Sequence, residues 1–228
     1  MPLLVSYPRS GTNWIRYVIE YCTKQPTPGE NRLVRGNNLM YVILNGGFAI
    51  DRAHKGYVVM QQYPKAVLVI RNYKECLIRQ FKTKWQQYDS VEAFLTSEDL
   101  HTPPHWYIKN IEAFEAYEKP KLLLYYEDMV HQPIAFIEKL GTFLNLNPTR
   151  FNEISSNLSA HQKNSVSLYT KRGKKSYTAG KKEETKSHSQ ELTTAQKLAF
   201  DNFYKERYPS QFNSYLKRYA ENYSEVSL

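Results

Sequence analysis

The sequence has few cysteines and no long apolar run, and both absences limit the kind of protein that it encodes. Two cysteines, Cys22 and Cys76, occur in 228 residues, and neither has CxxC or metal-ligand spacing. We therefore expect no disulfide framework, no metal centre and a reducing, cytoplasmic location. No apolar stretch reaches the length of about 18 residues that a membrane span needs, and the N-terminus lacks the pattern of a signal peptide.

Acidic residues are outnumbered, and the excess of positive charge is concentrated in one segment. The chain has 31 Lys and Arg against 22 Asp and Glu, a net charge of +9. Residues 161–186 alone hold eight basic and two acidic side chains. This balance favours anionic partners. A nucleic-acid-binding module is one alternative, but it would spread basic residues over a face, so we expect no nucleic-acid partner.

Short apolar runs alternate with patterns of helical period along the chain. Strands are predicted at residues 3–7, 57–60, 66–70 and 122–126. Helices are predicted from the apolar face that begins at Ile15 to about Lys24, and near residues 72–84, 105–118, 134–144, 148–157, 193–206 and 210–222. Residues 159–190 are polar and basic and are predicted to form a long loop. The alternation predicts an α/β fold, one domain over residues 1–228 with a central parallel sheet flanked by helices.

The strongest local signal lies between the first strand and the first helix. It is the string Tyr7-Pro8-Arg9-Ser10-Gly11-Thr12-Asn13-Trp14. A strand–loop–helix turn directs backbone N–H groups and the helix dipole at an anion, Gly11 permits close approach, and Arg9 adds a positive charge. By itself the string also suits an ordinary capped helix start. The absence of GxxxxGK(S/T) argues against a P-loop nucleotide kinase, which is kept as an alternative.

The same string resembles the 5'-phosphosulfate-binding loop of the PAPS-dependent sulfotransferases (PAPS is 3'-phosphoadenosine 5'-phosphosulfate), usually TYPKSGTTW. Six of the nine positions are kept, with Ser6, Arg9 and Asn13 as departures. The resemblance implies a P-loop-like loop whose 5'-phosphate ligands are Ser10, Gly11, Thr12 and Asn13. It also implies that Trp14 stacks on adenine, and that Arg9 both binds the donor and stabilises charge on the departing nucleotide.

A second segment resembles the family's 3'-phosphate motif, in which an Arg ends a strand and a Ser follows eight residues later. Arg71 occupies the first position, after the apolar run 66–70. Arg79 occupies the second and replaces the Ser by a cation, which can pair with a phosphate more strongly. The resemblance implies that both side chains bind PAPS. Taken alone, Arg79 would be interpreted as a surface charge.

The family's catalytic base is a His that precedes this motif and follows a basic residue by two positions. Arg52, Ala53 and His54 match that order, so the resemblance implies that His54 takes the proton from the acceptor. A lone His is more often a surface or packed residue than a catalyst. His101 and His105 remain rival candidates.

Three weaker matches complete the resemblance. Tyr126 ends a strand in a Tyr-Glu-Asp string and is expected at the adenine, as are Ser156 and Leu158. The family's closing loop, RKGxxGDWKN, has no full equivalent. Arg172 and Gly173 are its preferred counterparts and would cover the cofactor, with residues 180–182 as the alternative.

Together these matches imply in-line transfer of a sulfuryl group from PAPS to a hydroxyl or amine of a small molecule or glycan, without a metal. They identify neither the acceptor nor the oligomeric state.

Overall fold

The fold is built on four parallel β-strands. The computed structural model describes residues 1–8, 10–29, 32–34, 44, 46–97, 99, 101–169 and 188–221. Its strands are β1 (Leu3–Ser6), β2 (Asp51–Ala53), β3 (Ala66–Ile70) and β4 (Lys121–Tyr125). They are hydrogen-bonded in the order β2-β1-β3-β4. Every pairing is parallel, which confirms the predicted α/β class.

The helices of the described residues follow the predicted positions closely at most places. They are α1 (Thr12–Thr23), α2 (Tyr73–Lys84), α3 (Val91–Thr96), α4 (Pro103–Glu115), α5 (Tyr126–His131), α6 (Pro133–Leu144), α7 (Pro148–Ser156), α8 (Leu158–Tyr169), α9 (Thr194–Arg207) and α10 (Pro209–Gln211). A π-helical turn at Phe212–Leu216 and a 3-10 turn at Lys217–Tyr219 follow α10. Side chains cap several starts: Asn72 accepts from the Lys74 N–H at α2, and Thr193 and Gln196 form a capping box at α9.

The chain divides into two compact units. The first comprises Met1–Ile70 and Glu118–Thr185, and the second comprises Arg71–Tyr117 and Lys186–Leu228. The first unit contains the whole sheet, and its core is formed by buried side chains of β1, α1, β3, α6 and α7. The second unit has an aromatic core in which the Tyr73 and Tyr204 rings lie 4.9 Å apart. A single domain over residues 1–228 stays a prediction.

Two predictions about secondary structure are wrong. Residues 57–60 are not a strand, because Gly56–Val58 and Met60–Gln62 are 3-10 turns that bury Gly56 and Met60 and expose Val58. The strand of this region is β2 instead, which is too short and too polar to have been recognised. Residues 159–169 are not loop but part of α8, whose buried residues His161 and Ser165 are polar and so escape a search for apolar periodicity.

Candidate active site

The parallel sheet brings several predicted residues to one edge. In the first unit, His54 follows β2, Tyr7, Pro8, Ser10 and Gly11 follow β1, and Tyr126 follows β4. Arg71 comes directly after Ile70, the last residue of β3, and is the first residue of the second unit. The carboxyl ends of parallel strands share an edge, and ligands of open α/β sheets bind there. The predicted site residues therefore emerge where this fold class places its ligands.

The loop after β1 forms a tight turn into the start of α1. The Ser10 N–H donates to the Tyr7 carbonyl at 3.2 Å, and the Trp14 N–H donates to the Gly11 carbonyl at 3.1 Å. Ser10 is buried, Asn13 is exposed, and Gly11 has a φ of 75° at the N-cap of α1. No side chain caps this helix start among the described residues, and the positive end of the helix dipole at such a start favours an anion. Arg9 lies outside the described residues.

Gly11 has no room for a side chain. A Cβ at this position would lie 2.5 Å from Cε of Met129 and 2.7 Å from Cδ2 of Tyr126. Tyr126 is the first residue of α5, and its ring therefore packs directly against the loop. The predicted adenine residue and the predicted phosphate loop thus lie next to each other in the first unit.

Two side chains of the loop motif have partners inside the protein. The Thr12 hydroxyl lies 2.8 Å from the Ser6 hydroxyl, and the pair is buried. The Trp14 ring is buried and stacks on Tyr17, with 5.5 Å between centroids and 10° between planes. Trp14 is thus part of the core of the first unit, and its stacking on adenine stays a prediction.

His54 is oriented by the backbone of the neighbouring strand. The register pairs Val5 of β1 with Ala53 of β2, so the next residues, Ser6 and His54, are neighbours. Nδ1 of His54 lies 2.7 Å from the Ser6 carbonyl oxygen. A carbonyl only accepts hydrogen bonds, so Nδ1 carries the proton and Nε2 carries the lone pair of the neutral ring. His54 is exposed, and this tautomer suits a general base that acts through Nε2.

The rival histidines belong to the second unit and have different surroundings. His105 is buried, with Nδ1 2.7 Å from the Tyr208 hydroxyl and Nε2 3.2 Å from the Ser97 carbonyl. Burial lowers the pKa of His105. Both of its ring nitrogens are engaged, which favours a structural role. His101 is exposed, and its backbone N–H donates to Asp99.

Arg71 and Arg79 converge on a residue that the sequence analysis missed. Nη2 of Arg71 lies 3.6 Å from Oε1 of Glu75, and Nε of Arg79 lies 2.6 Å from the same oxygen. Glu75 and Arg79 are four residues apart on α2 and share one face of the helix, and Arg71 precedes the N-cap residue Asn72. Glu75 stands four positions from each arginine in the sequence, so this pattern of charges is a local signal that could have indicated it.

The remaining predicted residues gain less support. Ser156 is exposed at the end of α7, and Leu158 begins α8 and packs against the core of the first unit. Arg172, Gly173 and residues 180–182 lie outside the described residues.

Neither a metal site nor a membrane span is evident in the described part of the chain. It contains no group of three or more His, Cys, Asp or Glu side chains placed to hold a metal ion. None of its helices is both long enough and apolar enough to cross a membrane.

Comparisons with known proteins agree with the resemblance found in the sequence. A family model described as "Sulfotransferase domain" matches residues 54–212, more than two thirds of the chain. Among solved structures, mouse sulfotransferase SULT7A1 complexed with PAP matches with a TM-score of 0.62 and 21% identity, over 95% of this chain and 87% of that one. No curated protein matches in sequence.

Proposed function

This chain belongs to the sulfotransferase family, and on that premise we propose which of its residues bind the donor PAPS and which one activates the acceptor. The observation that carries the proposal is the junction of β1 with α1. There a helix start without a side-chain cap, a buried Ser10 and a glycine without room for a Cβ lie at the carboxyl edge of a parallel sheet.

The loop fits the phosphate of a nucleotide by its shape and its polarity. The N–H groups of the first turn of α1 and the positive end of its dipole favour an anion. Gly11 allows Met129 and Tyr126 to pack directly against the loop, and the adjacent Tyr126 ring would offer a surface for a base. Ser10, Gly11, Thr12 and Asn13 would hold the 5'-phosphate. That the structurally similar mouse enzyme was solved with PAP supports PAPS as the donor.

The proposed 3'-phosphate ligands are Arg71 and Arg79. Their side chains lie close to one carboxylate oxygen and are each 14% exposed. Guanidinium groups form strong charge-assisted hydrogen bonds with phosphates, and a partly buried pair is less screened by water and salt than a surface pair. Trp14, Ser156, Leu158, Arg172 and Gly173 remain predicted contributors to nucleotide binding.

His54 is proposed as the general base. The Ser6 carbonyl holds Nδ1, so the ring would accept the acceptor's proton at Nε2 and would then be a cation stabilised by the same carbonyl. PAPS supplies an activated sulfuryl group when bound. Arg9 would place a positive charge beside the departing phosphate, where negative charge develops.

The acceptor is proposed to carry a hydroxyl or an amine. The second unit contains a cluster of aromatic rings suited to apolar parts of a small molecule: Phe81, Trp85, Tyr88, Phe94 and Trp106.

A reducing, cytoplasmic location is proposed from the two cysteines, which are buried and form no disulfide among the described residues.

A binding comparison tests the donor assignment. Adenosine 3',5'-bisphosphate (PAP) should raise the melting temperature by binding the folded state, and AMP should raise it much less because it lacks the 3'-phosphate. Equal shifts from PAP and AMP would contradict the roles of Arg71 and Arg79, and the absence of a shift from either nucleotide would contradict nucleotide binding.

Incubation with PAPS and an acceptor panel, followed by mass spectrometry, should yield a sulfated product. A salt-sensitive gel shift without any product would favour the nucleic-acid-binding alternative.

A further inference from the structure

The cluster of Arg71, Glu75 and Arg79 has an unusual balance of charge. Glu75 is buried, and the two arginine side chains are each 14% exposed. Both guanidinium groups lie within ion-pair distance of Oε1 of Glu75. Two guanidinium groups thus meet at one carboxylate oxygen in a place that is mostly shielded from water, where like charges repel each other more strongly than at the surface.

The carboxylate of Glu75 is itself held in place. Its second oxygen, Oε2, accepts a hydrogen bond of 2.9 Å from the Ser189 N–H. Ser189 belongs to the 3-10 turn His188–Glu191, which lies in the same unit as α2. Because the two oxygens have different partners, the carboxylate cannot rotate without losing one of them. Oε1 therefore stays directed at the two arginines.

We propose that Glu75 is a positioning residue for the 3'-phosphate of the donor. It holds the guanidinium groups of Arg71 and Arg79 side by side, although their like charges would otherwise push them apart. Each guanidinium has five N–H donors, and the contact with Oε1 involves one nitrogen of each. The pair is thereby arranged for a phosphate before the nucleotide arrives, which lowers the entropy lost on binding. This inference rests on the proposed function.

The alternative effect of Glu75 is electrostatic and has the opposite sign. A carboxylate close to a phosphate site repels the phosphate and neutralises part of its binding charge. If that effect dominated, removing the charge of Glu75 would tighten the binding of PAP. The two effects can therefore be told apart by the direction in which the dissociation constant changes.

The test is the substitution Glu75→Gln, which keeps the shape of the side chain and removes its charge. We measure the dissociation constants of PAP and AMP by calorimetry. Charge-assisted contacts are worth enough that PAP affinity should fall about tenfold. AMP affinity should stay near that of the wild type, because AMP has no 3'-phosphate. A merely structural role of Glu75 would weaken both nucleotides together.

Glu191→Gln is the matched control. Glu191 also pairs with a cation of α2, the exposed Lys82, and with His188; the ion pairs found for it in the described part of the chain do not include either arginine. This variant should bind PAP as the wild type does. In turnover assays, Glu75→Gln should raise the KM for PAPS and leave kcat nearly unchanged, because the acceptor and its base are untouched.

An unchanged or tighter PAP affinity in Glu75→Gln would overturn the proposal, and so would an equal loss for AMP and PAP. If this variant does not fold, Glu75→Asp takes its place: it keeps the charge but is too short to reach both arginines, so it should also weaken PAP selectively. Failure of the wild-type protein to bind PAP would instead refute the proposed function. The failure of the role of Glu75 and the failure of the proposed function can therefore be distinguished.

Discussion

At the scale of single residues, Ser6 contacts two residues of the proposed site, His54 through its backbone carbonyl and Thr12 through its hydroxyl. The Ser6 carbonyl determines the tautomer of His54, and the hydroxyl of Ser6's side chain pairs with Thr12. Ser6 thus connects the proposed base to the proposed phosphate loop, through its main chain on one side and its side chain on the other. We therefore expect a substitution of His54 to affect turnover and a substitution in the loop to affect nucleotide binding.

The substitution His54→Ala tests the base. Turnover should fall by roughly 10²–10⁴-fold, the usual contribution of a positioned general base. The dissociation constant of PAP should stay near that of the wild type, because no predicted nucleotide ligand is removed. Steady-state kinetics and calorimetry measure the two effects. His101→Ala, which removes an exposed histidine, is the control, and its inactivation together with an active His54→Ala protein would mean that the base is misassigned.

The substitution Gly11→Ala tests the close packing of the loop. The Cβ of the alanine would collide with Met129 and Tyr126, and the alanine would also have to adopt the left-handed backbone conformation of Gly11. Gly47→Ala is a matched control, since Gly47 has a φ of 83° but no heavy atom of the described residues lies within 4 Å of an added Cβ. The control should lose about 1 kcal/mol of stability from backbone strain alone. Gly11→Ala should lose more and should also bind PAP more weakly; equal losses in the two variants would contradict the packing argument.

At the scale of elements, α2 organises the second unit through ion pairs of very different burial. Near its start, Lys74 is buried and lies 2.7 Å from Asp201 and 3.2 Å from Glu221. Lys74 Nζ also donates to the Tyr219 carbonyl at 2.6 Å. Near its end, Lys82 pairs with Glu191 on the surface. The buried group joins α2 to α9 and to the last described residues.

The two lysines of α2 allow a direct comparison of stability. Lys74→Met should lower the free energy of unfolding by about 3–5 kcal/mol, because it leaves the Asp201 carboxylate buried without its cation. Lys82→Met should change it by less than about 1 kcal/mol, since exposed ion pairs contribute little. Urea denaturation of both proteins measures the difference. Similar losses in the two variants would show that Lys74 contributes no more than a surface charge.

At the scale of the whole molecule, buried histidines make stability depend on pH. Burial lowers the pKa of His105 in the second unit and of His161 in the first. The unfolded chain binds protons at the ordinary pKa of about 6.5, so it holds more protons than the folded chain just below that pH. The free energy of unfolding should therefore fall as the pH drops through this range.

Urea denaturation between pH 5.5 and 8 tests this dependence. The wild-type protein should be more stable at the upper end of the range, and both His105→Gln and His161→Gln should show a flatter dependence on pH. His131→Gln, which removes an exposed histidine of α5, is the control for both variants. A slope unchanged in both buried-site variants would refute the effect of burial.

The sequence by itself determined the class of fold and the family. The apolar runs at residues 3–7 and 66–70 are too continuous for a half-exposed strand, so they indicated a parallel sheet covered on both faces. The string from Tyr7 to Trp14 and the position of Arg71 are local patterns, readable without knowledge of distant contacts. The spacing of Arg71, Glu75 and Arg79 was equally readable, because helical periodicity is local as well.

Only the tertiary structure decided what depends on residues far apart in the chain. Ser6 and His54 are 48 positions apart, and the β1–β2 register alone joins them. His105 and Tyr208 are separated by 103 positions, and their contact favours a structural role for that histidine. The strand β2 and the helix α8 were missed because their buried residues are few or polar. Patterns of apolar residues report local periodicity, whereas the tautomer of a histidine and the burial of polar groups arise from packing between distant segments.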